Sequence, residues 1–314
     1  VQLALGLLPS QCQGPDFQYI HDLLVATFAE AFPMKATRII ITAMTLKWAY
    51  RAANALRGFA SSVIACGCEA DIERELKPSE TPDGRPGISL MIFAMSTKDL
   101  EKQIPMRVGQ SIMTAPTTAC YSGIESEQQL PMGKHLRYFG DGYQISKRIN
   151  GRRFWRIPVM HGEFICEDTT GVTKAIGGGN FLVLAKTTRH ALAACEQAVE
   201  EIKKVPDVIT AFPGGIVGSG SKVGSKYDFL PASTNEAYCP TLKGQVKSAL
   251  GDEIGSVLEI VIDGLDEESI NAAMRVGVLA ACSYGPKKGI YRISAGNYGG
   301  NLGPHHFHLR KILK

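Results

Sequence analysis

NFLVLA (180–185), TTRHALAACEQAVEEIKK (187–204), VITAFPGGIV (208–217), SVLEIVIDG (256–264), LDEESINAAMRVGVLAA (265–281) and IYRISAG (290–296) follow one another in the second half of the chain. The short apolar runs read as strands, and the two longer segments carry apolar residues at helical spacing. The order is strand, helix, strand, long loop, strand, helix, strand. The first half repeats it. RIIITA (38–43) leads into the helical pattern LKWAYRAANALRG (46–58), stopped by Gly58, and then ASSVIACG (60–67) reads as a strand. The Pro/Gly-rich loop ETPDGRPG (80–87) is followed by the strand ISLMIFAM (88–95) and a helix over 96–116. Ser96 is placed to cap that helix, with Asp99 in its first turn. MRVG occurs at 106–109 and again at 274–277, each time in the helix after the second apolar strand, and favours internal duplication. The expected fold class is α+β: two similar ferredoxin-like (split βαβ) α/β lobes, with mostly antiparallel sheets and flanking helices. The expected division is a lobe over 27–161, a lobe over 162–314 and an atypical extension over 1–26.

Composition agrees with this. The 314 residues suit about two domains of roughly 100–200 residues. Apolar residues make up 45% and charged residues 20%, which excludes a disordered chain. The net charge of +4 is too small to demand a nucleic acid. No apolar run approaches the roughly 20 residues of a spanning helix, so no membrane partner is expected. VQLALGLLPSQCQG (1–14) has no Lys or Arg before its apolar start and reads as a non-secretory extension, with a cytoplasmic location expected. The eight cysteines form no CxxC pair and read as small buried thiols of a reducing compartment.

QISKRINGRRFWRIPV (144–159) is a hairpin signal, with Asn150-Gly151 between alternating flanks. It concentrates Lys147, Arg148, Arg152, Arg153 and Arg156 around Phe154 and Trp155. Such a ribbon is a solvated face, a site for an acidic small-molecule tail, or the surface of a non-catalytic assembly or nucleic-acid-binding module. GSGSKVGSK (218–226) fails the P-loop pattern, because Ser221 stands where Lys is required, and Val223 breaks the dinucleotide fingerprint. The loops from PGGIV (213–217), which holds Gly214 and Gly215, to DFLPASTNEAYCPT (228–241) form a long excursion of the functional kind. Ser233, Thr234, Asn235 and Tyr238 there suit a polar heterocycle better than a metal, or else serve as turn formers. Glu259 is the only ionisable residue of VLEIVI (257–262). Covered on its face, it would stay protonated near neutrality and act as a proton or hydrogen-bond donor; wet, it is an ordinary surface residue. HHFH (305–308) shows no third metal ligand, so no metal site is expected.

Beyond these readings, TFAEAF (27–32), ETPDGRPG (80–87), FGDGYQ (139–144), FPGGIV (212–217), SKVGSKYDFLPASTNEAYCPT (221–241), EIVIDGL (259–265) and ISAGNYGG (293–300) resemble the formylmethanofuran–tetrahydromethanopterin formyltransferases. The resemblance runs from Thr27 to the C-terminus and is greatest to the bacterial type, the formyltransferase subunit of a formyltransferase/hydrolase complex of methylotrophs. It implies one-carbon chemistry: direct formyl transfer in a ternary complex, with methanofuran and tetrahydromethanopterin as cosubstrates and no metal. It also implies a tetrameric core and companion hydrolase subunits. The family's acid maps onto Glu259; Gly214, Gly215, Ser233, Thr234, Asn235 and Tyr238 become candidates for the carriers, and Arg152 and Arg153 for the glutamate-rich tail of methanofuran.

Overall fold

The computed structural model describes residues 15–313; residues 1–14 of the expected extension, Cys12 among them, lie outside the described residues. The described residues pack into two units, one of Pro33–Ala175 and the other of residues 15–32 with 176–313. Helix α1 (Pro15–Leu23) comes first.

The Pro33–Ala175 unit uses β1 (Phe28–Thr42) from its Lys35 onward. It continues through α2 (Leu46–Arg57), the single turn α3 (Val63–Cys66), β2 (Glu69–Leu76), β3 (Gly87–Ala94), α4 (Thr97–Arg107) and β4 (Ala119–Ser122). The strands lie in the antiparallel order β4–β1–β3–β2, with Ile39 opposite both Leu90 and Ser122. This is the ferredoxin-like order. Ile39, Ile41, Leu90 and Ile92 bury one sheet face against Ala49, Ala53 and Leu56 of α2 and Leu100 and Ile104 of α4. The Ser96 hydroxyl accepts from the Asp99 N–H at 3.2 Å, as its spacing predicts.

One strand differs from expectation. The segment 60–67 holds α3, capped by Ser62, and the strand is the charged stretch EADIEREL at 69–76. Among the described residues β2 pairs only with β3, so Arg74 and Glu75 sit exposed on an edge, where no apolar run is needed. After β4 come β5 (Gln129–Pro131), α5 (Gly133–Leu136), β6 (Ile145–Ile149), β7 (Arg152–Val159), β8 (Gly162–Glu167) and β9 (Thr169–Gly171). The β6–β7 hairpin is the expected one: Ile149 pairs with Arg152, and Asn150 and Gly151 have φ of 50° and 80°. β8 joins β7 antiparallel and β4 parallel.

The second unit holds β10 (Thr173–Ala185) from its Ile176 onward, α6 (Thr188–Ile202), β11 (Val208–Ile209), β12 (Lys222–Val223), β13 (Ala232–Ser233), β14 (Ser256–Gly264), α7 (Glu267–Cys282), β15 (Ile290–Ser294) and β16 (His305–His308). Its strands lie in the order β15–β10–β14–β11, the same order as in the first unit. Phe181, Val183, Leu258, Ile260 and Ile262 pack against Ala191, Ala194, Cys195 and Ala198 of α6 and Ile270, Met274 and Val278 of α7. Small residues let the helices lie close: a Cβ on Gly277 would come within 2.8 Å of Ile202. Leu23 and Ile20 of α1 join this core, so the described end of the extension is part of the unit.

The duplication therefore shows in strand order. The MRVG match does not carry it. Met106 lies ten residues after its cap Ser96 and is 50% exposed, whereas Met274 lies eight after Asp266 and is fully buried. A two-residue offset turns a helix by about 200°, so the two copies present different faces. The packed units also differ from the expected division at 161/162. Gly162–Ala175 belongs with the first unit because β8 pairs with β7 and β4, and Phe28–Ala31 belongs with the second because it pairs with β16.

Candidate active site

Alternation along β14 splits its side chains. Leu258, Ile260 and Ile262 enter the helix-covered core, and Val257, Glu259 and Val261 take the opposite face. Leu182 pairs with both Glu259 and Ser294, so Ser294, Leu182 and Glu259 form a row across β15, β10 and β14. The excursion between β11 and β14 folds onto this face. The Val217 N–H donates to the Glu259 carbonyl at 2.7 Å, and the Glu259 N–H donates back at 3.0 Å. The Tyr238 and Ser294 hydroxyls are 3.0 Å apart. Leu182, Leu184 and Ile254 form a small second core with Tyr238, Leu250 and Val257 against it. Beside it opens a cavity of about 390 Å³, bounded by Leu184, Tyr238, Leu250, Ile254, Arg292 and Ser294.

The Glu259 carboxyl is partly buried and makes no side-chain hydrogen bond among the described residues. Loss of hydration alone pushes its pKa up to about 7. Tyr298 lies close by: burial and then the Glu259 charge push its phenol up, and a hydrogen bond with the Ser221 side chain works the other way.

Glu30 has the opposite electrostatics. It is buried, yet its carboxylate accepts four backbone N–H groups: Tyr298 at 2.6 Å, Gly300 at 2.9 Å, Leu302 at 2.6 Å and Gly303 at 2.7 Å. Burial raises its pKa, and the four donors outweigh burial and hold it down to about 2. The glycines allow the wrap. Gly299 and Gly300 have φ of 82° and 76°, and a Cβ on Gly303 would lie 2.3 Å from the Ala31 carbonyl oxygen.

The structure thus gathers Tyr238 onto the Glu259 face and gives the other expected residues local partners. Gly214 and Gly215 both have positive φ, and they turn the chain toward the Val217 bridge. Gly215 spends its N–H on Phe212 and lies where a Cβ would meet Val199. The Ser233 hydroxyl donates to Gly224 at 2.7 Å, Thr234 faces the Cys239 thiol at 3.3 Å, and the Asn235 carbonyl accepts from the Tyr238 N–H. In the other unit, Arg152 forms a two-point ion pair with buried Glu167. Arg153 leans on Trp155, opposite Arg148, and Arg137 stacks on the same ring at 4.8 Å. Arg156 pairs with Glu163.

Two residues escaped the sequence reading, Glu30 and Tyr298. Glu30 has the signature used for Glu259, a lone acid in an apolar strand, FAEAF. GGGNF (177–181) makes a bulge in β10, where the Gly178 N–H donates to Asp263 at 3.1 Å. Cys68, Cys120, Cys166, Cys195 and Cys282 are buried, and loss of hydration pushes the Cys195 and Cys282 thiols up to about 12. No cluster of three His, Cys, Asp or Glu able to hold a metal occurs among the described residues, and no helix there is long and apolar enough to cross a membrane.

A duplicated ferredoxin-like scaffold with one dehydrated acid on the sheet face away from its helices, under a hydroxyl-rich excursion, has the parts of an acid-assisted transferase. The comparisons with known proteins agree. Residues 20–159 match the family described as formylmethanofuran-tetrahydromethanopterin formyltransferase, and residues 162–312 match that family's proximal lobe. The formylmethanofuran–tetrahydromethanopterin formyltransferase of Methylococcus capsulatus is 64% identical over 287 residues, covering 91% of this chain and 96% of the relative. A chain in the crystal structure of the formyltransferase/hydrolase complex from Methylorubrum extorquens with methylofuran matches at a TM-score of 0.90 and 50% identity, over 93% of this chain and 96% of that one. The Methanosarcina barkeri formyltransferase matches at a TM-score of 0.87 and 46% identity, over 92% of this chain and 98% of that one. The chain belongs to the formylmethanofuran–tetrahydromethanopterin formyltransferase family.

Proposed function

We propose that this chain moves a formyl group between formylmethanofuran and tetrahydromethanopterin, with Glu259 as the acid of the reaction. One observation carries the assignment of Glu259: it is a dehydrated carboxyl, poised near neutrality, on the sheet face against which Tyr238 and Leu250 of the long excursion pack. The acceptor amine attacks the formamide carbon, the carbonyl oxygen takes up the negative charge, and the old C–N bond breaks as the leaving amine gains a proton. Protonated Glu259 donates to the oxyanion or to that amine, and the attacking nitrogen gives up its own proton as the new amide forms. Holding both carriers in attack geometry contributes roughly 7–11 kcal/mol to lowering the barrier. The loop N–H groups of Tyr298, Gly300, Leu302 and Gly303 are committed to Glu30 and take no part in holding the oxyanion.

The cavity beside Tyr238 and Ser294, which shares Ser294 with the Glu259 row, is a seat for one carrier's ring system. Gly214, Gly215, Ser233, Thr234 and Asn235 shape the excursion that borders it. On the other unit, Arg153, Arg148 and Arg137 form the basic cluster suited to a glutamate-rich tail, Arg152 being engaged by Glu167. Arg153→Glu should raise KM for the methanofuran carrier several-fold at low salt and little at high salt; an unchanged KM at low salt removes that role. We place the chain in the cytoplasm, in a homotetrameric core joined by companion subunits; the likeness to a chain of a formyltransferase/hydrolase complex supports the companion subunits.

The test is a transfer assay on the purified chain, alone and with companion subunits, following the pterin absorbance change. Transfer by the wild-type chain is expected. Its absence under both conditions, together with salt-dependent binding of unrelated oligonucleotides, would favour the basic hairpin as a nucleic-acid or assembly surface instead.

A further inference from the structure

Glu30 is a buried carboxylate that the transfer chemistry leaves unused, and its four N–H bonds all fall on the single loop GNYGGNLG (296–303). Two further ties hold the loop's first turn. The Asn297 side chain donates to the Thr27 hydroxyl at 3.0 Å and to the Phe28 carbonyl at 3.2 Å, and the Gly296 N–H donates to Asn180 at 2.6 Å. So fixed, the loop presents one aromatic side chain, Tyr298, whose ring lies 6.1 Å from that of Phe32. The Tyr298 side chain is hydrogen-bonded to Ser221 on the excursion and lies within the field of Glu259. Val217, four residues before Ser221, is bridged to the Glu259 backbone. The loop also continues directly from β15, whose Ser294 shares a row with Leu182 and Glu259, so the pinned loop holds Tyr298 on the Glu259 side of the unit.

We propose that Glu30 and Tyr298 are positioning residues for formyl transfer: Glu30 pins the 296–303 loop, and the pinned Tyr298, latched to Ser221, shields the Glu259 carboxyl from water. The inference rests on the reading of Glu259 as the acid. A carboxylate suits the pin because its two oxygens provide about four lone-pair sites for four donors. A glutamine there would turn an amide N–H toward the loop and satisfy at most half of them.

Leu182 lies opposite Glu259 across the strand pair, Val257 and Val261 share its face along its own strand, and Tyr298, with Ser221 as its own partner, is the titratable group that feels its charge; Glu30 acts from behind the loop. Letting water in moves the Glu259 pKa down toward 4.5, its ordinary value. The experiment measures kcat, KM, the pH–rate profile and thermal stability for Glu30→Gln, Tyr298→Phe, the double variant and Glu259→Gln. Glu30→Gln should lower kcat at least tenfold and move the high-pH limb to lower pH. Tyr298→Phe should keep the wild-type melting temperature within a few degrees and still lose kcat several-fold at unchanged KM. The double variant should be no worse than Glu30→Gln, because both act through one loop. Glu259→Gln separates the two readings. If it is inactive while Tyr298→Phe matches wild type and the limb stays in place, the positioning role is wrong and the acid stands. If Glu259→Gln is fully active, the acid assignment fails, and the positioning role falls with it.

Discussion

Glu259→Gln loses transfer activity and gains stability above neutrality. The first effect follows from chemistry: an amide donates a hydrogen bond to an oxyanion but supplies no proton to a leaving amine. Loss of a positioned general acid lowers kcat by about 10²–10⁴-fold. The second follows from linkage. The folded pKa of Glu259 is raised from 4.5 to about 7 by lost hydration. Below about pH 4.5 the folded and unfolded chains both hold the proton, and ionisation costs the fold nothing. Between 4.5 and 7 the unfolded chain releases it first, so stability falls as pH rises. Above 7 the whole penalty is present, about 3 kcal/mol before solvent screening of this partly exposed site reduces it. Glutamine carries no such penalty. Thermal unfolding at pH 5 and pH 8 should show the variant and wild type close at the lower pH and the variant more stable at the higher. In wild type, kcat/KM should decline as pH passes about 7 and the acid form is lost. A profile flat from pH 6 to 8, or equal melting temperatures at pH 8, would remove Glu259 from the role.

Arg152→Ala destabilises the fold far more than Arg153→Ala, although the two are neighbours in one basic strand. Glu167 is 5% exposed and accepts from Arg152 Nε at 2.6 Å, from Arg152 Nη2, and from the Ser122 N–H at 2.8 Å. Without the guanidinium, Glu167 is left as a buried charge with one backbone donor. Truncating one partner of a buried pair costs about 3–5 kcal/mol; the exposed side of Arg152 brings the expected loss to about 2–3 kcal/mol. The Arg153 guanidinium lies over the Trp155 ring and forms no ion pair among the described residues, so its removal should cost within about 0.5 kcal/mol. Urea unfolding of both variants measures the difference. Adding Glu167→Gln to Arg152→Ala should recover part of the loss, because the stranded charge is then gone. Equal midpoints for Arg152→Ala and Arg153→Ala would mean that the pair contributes nothing.

Much of this architecture was legible because local physics decided it. The β14 and α7 boundaries follow from alternation and from the Asp266 cap, which accepts from the Ser269 N–H at 2.7 Å. The Asn150-Gly151 turn follows from φ preference. β2 was missed because an edge strand of acidic and basic residues leaves no apolar run to read. MRVG pointed to the right duplication for a reason that packing does not support, since Met106 and Met274 face different ways.

The chain order of strands and helices, the alternation that isolates Glu259 from the core of its own strand, and the caps and turns were all determined by the sequence alone. Each depends on residues within a few positions of one another. Tertiary structure decided what surrounds them. It chose Tyr238 from the hydroxyls of the excursion, tied Arg152 to Glu167 while Arg153 stayed on its aromatic neighbour, and brought the loop 298–303 around Glu30 from about 270 residues away. A carboxylate's charge state is set by its hydration and by the donors that reach it. Glu30 and Glu259, alike as lone acids in apolar strands, end up about five pKa units apart because four backbone N–H groups reach one and, among the described residues, none reaches the other.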